Sequence, residues 1–325
     1  MLQGYRKEFK MAFEIPKISY NGAIREIPLG KEANRLVVGG ETCYPFYLFE
    51  GDMPHPPKIA MEVYDAPPEE WPRAALEPFA DVVHDPAAWA QKCVATYSAE
   101  MIALQLASTD PNAQNAPPEQ AVEVTKKVAA AIEVPLIVWG SNNLEKDTEV
   151  LKMVAEQCAD ENLILGPVEE GSYKALGAAA IAYHHTIAAC TPIDINLAKQ
   201  LNILLGSLGV PDERILVDPT VGSLGYGLEY SYSVMERDRM AALTQEDERL
   251  QFPIVCNLAK EVWKIKEVRI SEEEYPPLGD PEKRGILLEA ITALLFLLSG
   301  ADILIMRHPG AVELIRGFIN ELIGV

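Results

Sequence analysis

From about residue 59 onward the chain alternates short, β-branched apolar runs with longer stretches whose apolar residues recur every three or four positions. That order builds a parallel sheet with helices outside it. Eight runs read as strands: Ile59 to Tyr64, Met101 to Leu106, Leu136 to Trp139, Leu163 to Leu165, Thr186 to Ala189, Ile215 to Val217, Pro253 to Cys256 and Asp302 to Met306. Several are apolar on both faces, as a parallel strand is when helices cover one side and barrel packing the other. The pattern predicts an α/β fold, a TIM-type (β/α)8 barrel over residues 59–325. Helix boundaries are signalled too. Pro117 and Pro118 precede an amphipathic segment as first-turn prolines do, and Asp194 and Gly209 bracket another as N-cap and terminator.

Residues 1–58 break the rhythm and read as an N-terminal extension. Phe13 to Tyr20 and Ile24 to Pro28 flank Asn21-Gly22, a strong hairpin signal, with Leu36 to Val38 as a third extended piece. The expectation is a hairpin capping the barrel floor, followed by a stiff connector from Asp52 to Pro57. The segment from Met1 to Met11 holds Arg6, Lys7 and Lys10 but no apolar signal core, and Met11 offers an alternative start to Met1. The longest apolar run, Ile286 to Leu298, contains Glu289. It falls short of the roughly 18 residues needed to span a bilayer and reads as a buried helix, so no membrane association is expected.

Charge narrows the partners. Forty-eight acidic residues against 28 basic ones give a net charge of −20, which repels nucleic acid and anionic lipid alike. Solvated helix faces account for the acidity. Cys43, Cys93, Cys158, Cys190 and Cys256 lie 50, 65, 32 and 66 positions apart, without the short spacing of zinc or iron–sulfur ligands. No cluster and no metal site is expected on this chain. An odd number of thiols without a leader points to a reducing, cytoplasmic setting.

In a barrel of this kind ligands bind where the strands end. The residues there are Glu62 and Asp65, Ser108 and Thr109, Ser141 to Asn143, Glu169 and Glu170, Thr191, Asp218 and Thr220, Asn257, and Arg307 with His308. From these, Ser141, Asn142, Thr191, Asp218, Thr220, Asn257, Arg307 and His308 are the candidate cofactor-binding set. Hydroxyls and amides on a concave rim suit an amide-rich ligand or a heterocycle such as a pterin better than a bare phosphate; capping the next helix is the competing role for each. Asp218 to Gly227 carries three glycines that let backbone approach a ligand, yet it is neither a P-loop nor a dinucleotide loop. His184-His185 falls at the far face and reads as structural. No catalytic residue is assigned.

The order of Leu36 to Glu41, Ile59 to Asp65, Ile215 to Thr220, Gly225 to Tyr230 and Ala301 to Pro309 resembles the small subunit of the corrinoid/iron–sulfur protein of the acetyl-CoA (Wood–Ljungdahl) pathway over nearly the whole chain. More distantly it is similar to pterin-binding methyltransferase barrels, with Asp218 and Asn257 at two pterin-contacting positions. Trp139-Gly140 and Gly166 stand where that family has an aspartate and an asparagine. The first resemblance implies a non-catalytic partner in a heterodimer, with a large subunit bearing a 4Fe–4S cluster and most of a corrinoid site. The corrinoid would be shared between the chains, accepting a methyl group from methyltetrahydrofolate:corrinoid methyltransferase and passing it to acetyl-CoA synthase/CO dehydrogenase. The second implies a pterin-dependent methyltransferase acting directly on methyltetrahydrofolate. No D-x-H-x-x-G motif is present to hold a corrinoid through histidine.

Overall fold

A computed structural model describes residues 15–324. In chain order the elements are β1 (Ile27–Leu29), β2 (Leu36–Val38), β3 (Lys58–Tyr64), α1 (Arg73–Leu76), α2 (Pro86–Tyr97), β4 (Met101–Gln105), α3 (Pro118–Ala131), β5 (Leu136–Trp139), α4 (Leu144–Gln157), β6 (Ile164–Val168), α5 (Tyr173–Tyr183), β7 (Thr186–Cys190), α6 (Ile195–Leu208), β8 (Ile215–Asp218), α7 (Leu228–Thr244), β9 (Ile254–Asn257), α8 (Ala259–Trp263), α9 (Lys266–Arg269), α10 (Pro281–Ser299), β10 (Ala301–Met306) and α11 (Pro309–Ile323). Strands β3 to β10 form a closed, all-parallel barrel in which β10 pairs with β3. All eight expected strands are present.

Each strand's alternation divides two apolar populations. Ala60, Ala103, Ile137, Ile164, Ala188, Leu216, Val255 and Ile303 pack inside the ring. Their neighbours Ile59, Ile102, Leu104, Val138, Leu165, Ile187 and Leu304 face the helices. Both faces are dry, which is why the strands read as continuous apolar runs. The helix caps fall where the sequence placed them. Asp194 accepts from Asn196 N and Leu197 N, and Gly209 closes α6 in the left-handed conformation at φ 100°.

A hairpin does cover the floor, but it is built from different strands. β1 pairs antiparallel with β2, Ile27 opposite Val38, and Ile27, Leu29 and Val38 join the interior cluster. Asn21-Gly22 makes no turn between strands. Gly22 N donates to Leu243 O at 3.1 Å and Ile24 N to Glu41 O at 2.9 Å, and a Cβ on Gly22 would lie 2.0 Å from Ala242 O. Glycine is needed there for close approach of two backbones. Of the expected Phe13 to Tyr20 strand, residues 15–20 are irregular; Phe13 and Glu14 lie outside the described residues, as do Met1 and Met11.

Arg239 of α7 locks the floor. Its Nη2 donates to Gly300 O (2.6 Å) and Asp302 Oδ2 (2.5 Å), and its Nη1 to Phe252 O (3.0 Å). Asp302 Oδ2 also accepts from Ile254 N at 2.6 Å, tying β9 to β10. Helix α10 is less buried than its composition predicts. Ala290, Ala293, Phe296 and Leu297 face the core, whereas Leu287, Ile291 and Leu298 are 52%, 44% and 42% exposed. Among the described residues no helix is long and apolar enough to cross a membrane.

Candidate functional site

The alternation that turns Ala60 inward turns Glu62 and Tyr64 inward as well, at the ends where all eight strands finish. Arg307, the first residue after β10, lies beside them. Its Nε donates to Glu62 Oε2 at 2.7 Å. Both side chains are almost wholly out of solvent, at 3% and 0% exposure, so the pair can persist only as a pair. The guanidinium also lies over the Trp71 ring, 3.6 Å from its centroid. Trp71 in turn meets Tyr64 edge-on at 4.9 Å.

A second buried carboxylate supports the same wall. Glu289 reaches from α10 beneath the turn after β10. Its Oε1 accepts from Arg307 N at 2.5 Å; Oε2 accepts from His308 N at 3.0 Å and from Trp263 Nε1 at 2.8 Å. Trp263 fits a notch in α10, where a Cβ on Gly285 would sit 2.4 Å from the indole. The His308 ring stacks on it at 5.8 Å and 24°. His308 Nδ1 accepts from Gly310 N, and burial pushes the imidazole down to about 4, so it stays neutral at ordinary pH.

Between these walls lies a cavity of about 710 Å³. Tyr64, Pro67, Pro68, Trp71 and Trp263 give it an aromatic and apolar lining; Gln105, Ser108 and Ser141 supply neutral polar groups. Lys260, Lys264, Arg269 and Arg307 balance Glu69, Glu70 and Asp110. The opening is therefore close to neutral on a strongly acidic molecule.

The candidate set divides around this cavity. Ser141 and Arg307 line it. His308 stacks behind its wall, and Asn257 accepts from Gln105 Nε2 across the ring at 3.3 Å. The loop carrying Ser141 and Asn142 is folded by Asp147 of α4. Asp147 Oδ1 accepts from Ser141 N and Oγ, and its Oδ2 from Asn142 N, each at 2.8 Å. Removing these bonds with Asp147→Ala is expected to cost about 1–3 kcal/mol in urea unfolding. A loss below half a kilocalorie would show that the loop holds its shape without them.

Thr191, Asp218 and Thr220 form a separate cluster at the ends of β7 and β8. Asp218 Oδ1 accepts from Thr220 N at 2.9 Å, its Oδ2 from Cys190 Sγ at 3.4 Å, and Thr220 Oγ1 donates to Thr191 O at 2.7 Å. Burial raises the Asp218 carboxyl to about 6. Trp139, the last residue of β5, is buried in the interior cluster beside Gly166, whose added Cβ would stand 3.0 Å from the indole. At the far end His185 is spent structurally: Nδ1 accepts from Leu163 N and Nε2 lies 2.9 Å from Ala155 O. No group of three or more His, Cys, Asp or Glu side chains among the described residues is arranged to hold a metal ion.

Sequence reasoning missed Tyr64, Trp71, Trp263 and Glu289. One signal was available for the last. A lone acid in the 13-residue apolar run from Ile286 to Leu298 is rarely left unpaired, so it marks a buried network.

A family model described as CdhD, CO dehydrogenase/acetyl-CoA synthase delta subunit, matches residues 26–317. The acetyl-CoA decarbonylase/synthase complex subunit delta of Archaeoglobus fulgidus is 37% identical over 326 residues, covering 96% of this chain and 71% of the relative. The delta subunit of Methanopyrus kandleri is 37% identical over 302 residues, covering 90% and 74%. Among solved structures, a dihydropteroate synthase of Xanthomonas albilineans in complex with indole-2-carboxylic acid and 6-chloroguanine is similar at TM-score 0.57 and 14% identity, covering 90% of this chain and 97% of that one. A Coxiella burnetii dihydropteroate synthase in complex with pteroic acid gives 0.54 and 13%, covering 93% and 100%. These last two likenesses are of fold.

Proposed function

The chain belongs to the CO dehydrogenase/acetyl-CoA synthase delta subunit family, and on that premise we propose that it is the small, non-catalytic subunit of a heterodimeric corrinoid/iron–sulfur methyl carrier. Its extension (1–58) and barrel (59–325) act in the cytoplasm. The barrel mouth covers a corrinoid held in common with a larger chain that bears a 4Fe–4S cluster. When bound, the corrinoid supplies a cobalt centre that carries a methyl group from methyltetrahydrofolate:corrinoid methyltransferase to acetyl-CoA synthase/CO dehydrogenase.

The observation that carries this reading is the mouth cavity, wide, aromatic and nearly neutral. Trp71, Trp263 and Tyr64 would cover a flat macrocycle and keep water from it, as reactive organometallic chemistry requires. Arg307, neutralised by Glu62, and the amide of Gln105 suit the carboxamides at a corrin's edge. Burial keeps His308 in the neutral form, with the ring proton on Nε2 because Nδ1 accepts from Gly310, and a neutral imidazole is too weak an acid to protonate a nucleophilic metal readily.

The alternative, direct action on methyltetrahydrofolate, draws on Asp218 and Asn257. Against it, both Asp218 oxygens are engaged within the chain, and Trp139-Gly140 and Gly166 stand where a pterin-binding barrel has an aspartate and an asparagine. Tight binding of methyltetrahydrofolate by the isolated chain would favour that enzyme.

The decisive experiment is the visible absorption spectrum of the chain purified anaerobically alone, and again with its co-purifying partner. A corrinoid band is expected only in the pair. A coloured lone chain would overturn the shared site.

A further inference from the structure

Glu289 is a charged group in the middle of an apolar helix, fully buried, and it takes no part in covering a ligand. Its two oxygens receive three N–H donors from two different elements: the backbone amides of Arg307 and His308 in the turn after β10, and the indole of Trp263 at the end of α8. Trp263 and Arg307 both line the mouth cavity, and each has its own second support, the Gly285 notch for one and Glu62 for the other.

We propose that Glu289 is a positioning residue of the mouth: its ionised carboxylate holds Trp263 and the Arg307–His308 turn as one rigid wall, and taking up a proton releases part of that wall. The chemistry is one of acceptor count. An ionised carboxylate has lone pairs for all three N–H groups, whereas a protonated one adds an O–H donor where each group at its oxygens is itself a donor. A buried donor facing a donor is unsatisfied, and the side chain or the turn must move.

The charged and titratable groups around Glu289 leave it able to make this change near neutrality. From the β10–α11 turn it faces the Arg307 cation and the neutral His308 ring; from β3, Glu62 offsets that cation. On its own helix, Arg284 is turned away onto the carbonyls of Glu267, Ile270, Leu278 and Gly279. Burial raises the Glu289 carboxyl, the three N–H donors and Arg307 lower it, and the balance falls at about 7. That the wall faces a corrinoid rests on the function proposed above; that Glu289 holds the wall does not.

The test is an NMR titration of the full chain labelled with 15N at tryptophan and histidine, with the Trp263 indole signal assigned by its loss in Trp263→Phe. In the native chain the Trp263 indole N–H and the His308 amide are expected to shift together, sigmoidally, with one midpoint near 7. In Glu289→Gln neither is expected to titrate, while the Trp89 indole is the same in both proteins. Signals that ignore pH in the native chain, or that titrate unchanged in Glu289→Gln, would overturn the proposal.

Trp263→Phe keeps the bulk of the ring and removes only its donor, and it serves if Glu289→Gln does not fold. The His308 amide is then expected to titrate at higher pH, because one of the donors holding the carboxylate ionised is gone; an unmoved midpoint would count against the proposal. In the complex with the corrinoid-bearing partner, Glu289→Gln is expected to shift the corrinoid's visible band. An unshifted band beside an altered indole signal supports Glu289 as the wall's anchor and counts against the corrinoid reading alone.

Discussion

Arg239→Met is expected to cost the fold about 3–5 kcal/mol, the usual result of removing one partner from a buried ion pair. Methionine restores most of the volume, so the loss reports the charge and its hydrogen bonds. Arg239 is the cation among three buried acids, Glu41, Asp238 and Asp302, and it bridges the loop before β9, the turn before β10 and β10 itself. Without it the Asp302 carboxyl keeps the Ile254 amide and the side chain of Glu41, itself an acid. Urea unfolding of the native and variant chains measures the difference, and a loss under about 1 kcal/mol would show that the floor is held by packing alone.

The deficit should depend on pH in a definite sense. Burial raises Asp238 to about 7 and Glu41 well above its ordinary value, and Arg239 acts on both in the opposite direction. A raised carboxyl binds more protons folded than unfolded, so its contribution is full below the ordinary carboxylate range and is lost as pH rises through the folded value. Taking away Arg239 raises both groups further. The variant is therefore expected to recover part of its deficit as the pH falls from 8 toward 5, and a deficit that grows on acidification would refute this account.

Arg307→Met is expected to cost a similar amount, about 3–5 kcal/mol, because Glu62 has no exposure and no other donor among the described residues. It should also loosen Trp71, which loses the cation stacked on it. A double-mutant cycle separates the pair from its surroundings. Glu62→Gln combined with Arg307→Met is expected to be more stable than the sum of the single losses predicts, by at least about 1 kcal/mol. Strict additivity would mean that each residue acts through other contacts. In the assembled complex, the same Arg307 variant is expected to weaken retention of the corrinoid band, which the Arg239 variant, acting at the opposite end of the barrel, should leave intact.

The two ends of the ring were unequally legible from residues alone. The strands were plain because a parallel strand buried on both faces must be apolar throughout, and Leu136 to Trp139 has the same bounds in sequence and structure. Gly209 and Asp194 were plain because caps are local. Gly22 misled, since a glycine required for tight contact with Ala242 looks identical in sequence to one required for a turn. The mouth was legible as a ring of polar residues but not as a cavity. Whether Ser141 or Asp218 faces a ligand depends on where Asp147, Cys190 and Thr220 direct their bonds. Trp71 reaches the opening along a loop and Trp263 from the end of the short helix α8, and no periodicity encodes either path.

The ring is joined by its first and last strands, and the Glu62–Arg307 pair that spans them is separated by 245 positions. A ribosome adding about 5–20 residues per second leaves β3 waiting on the order of 10–50 s for β10. Throughout that interval the nascent chain presents β3 as an open sheet edge, which a chaperone or the growing helices must shield. A transcript truncated before Ala301 yields a half-zipped arc with two bare edges, and such a product is fated for aggregation or degradation.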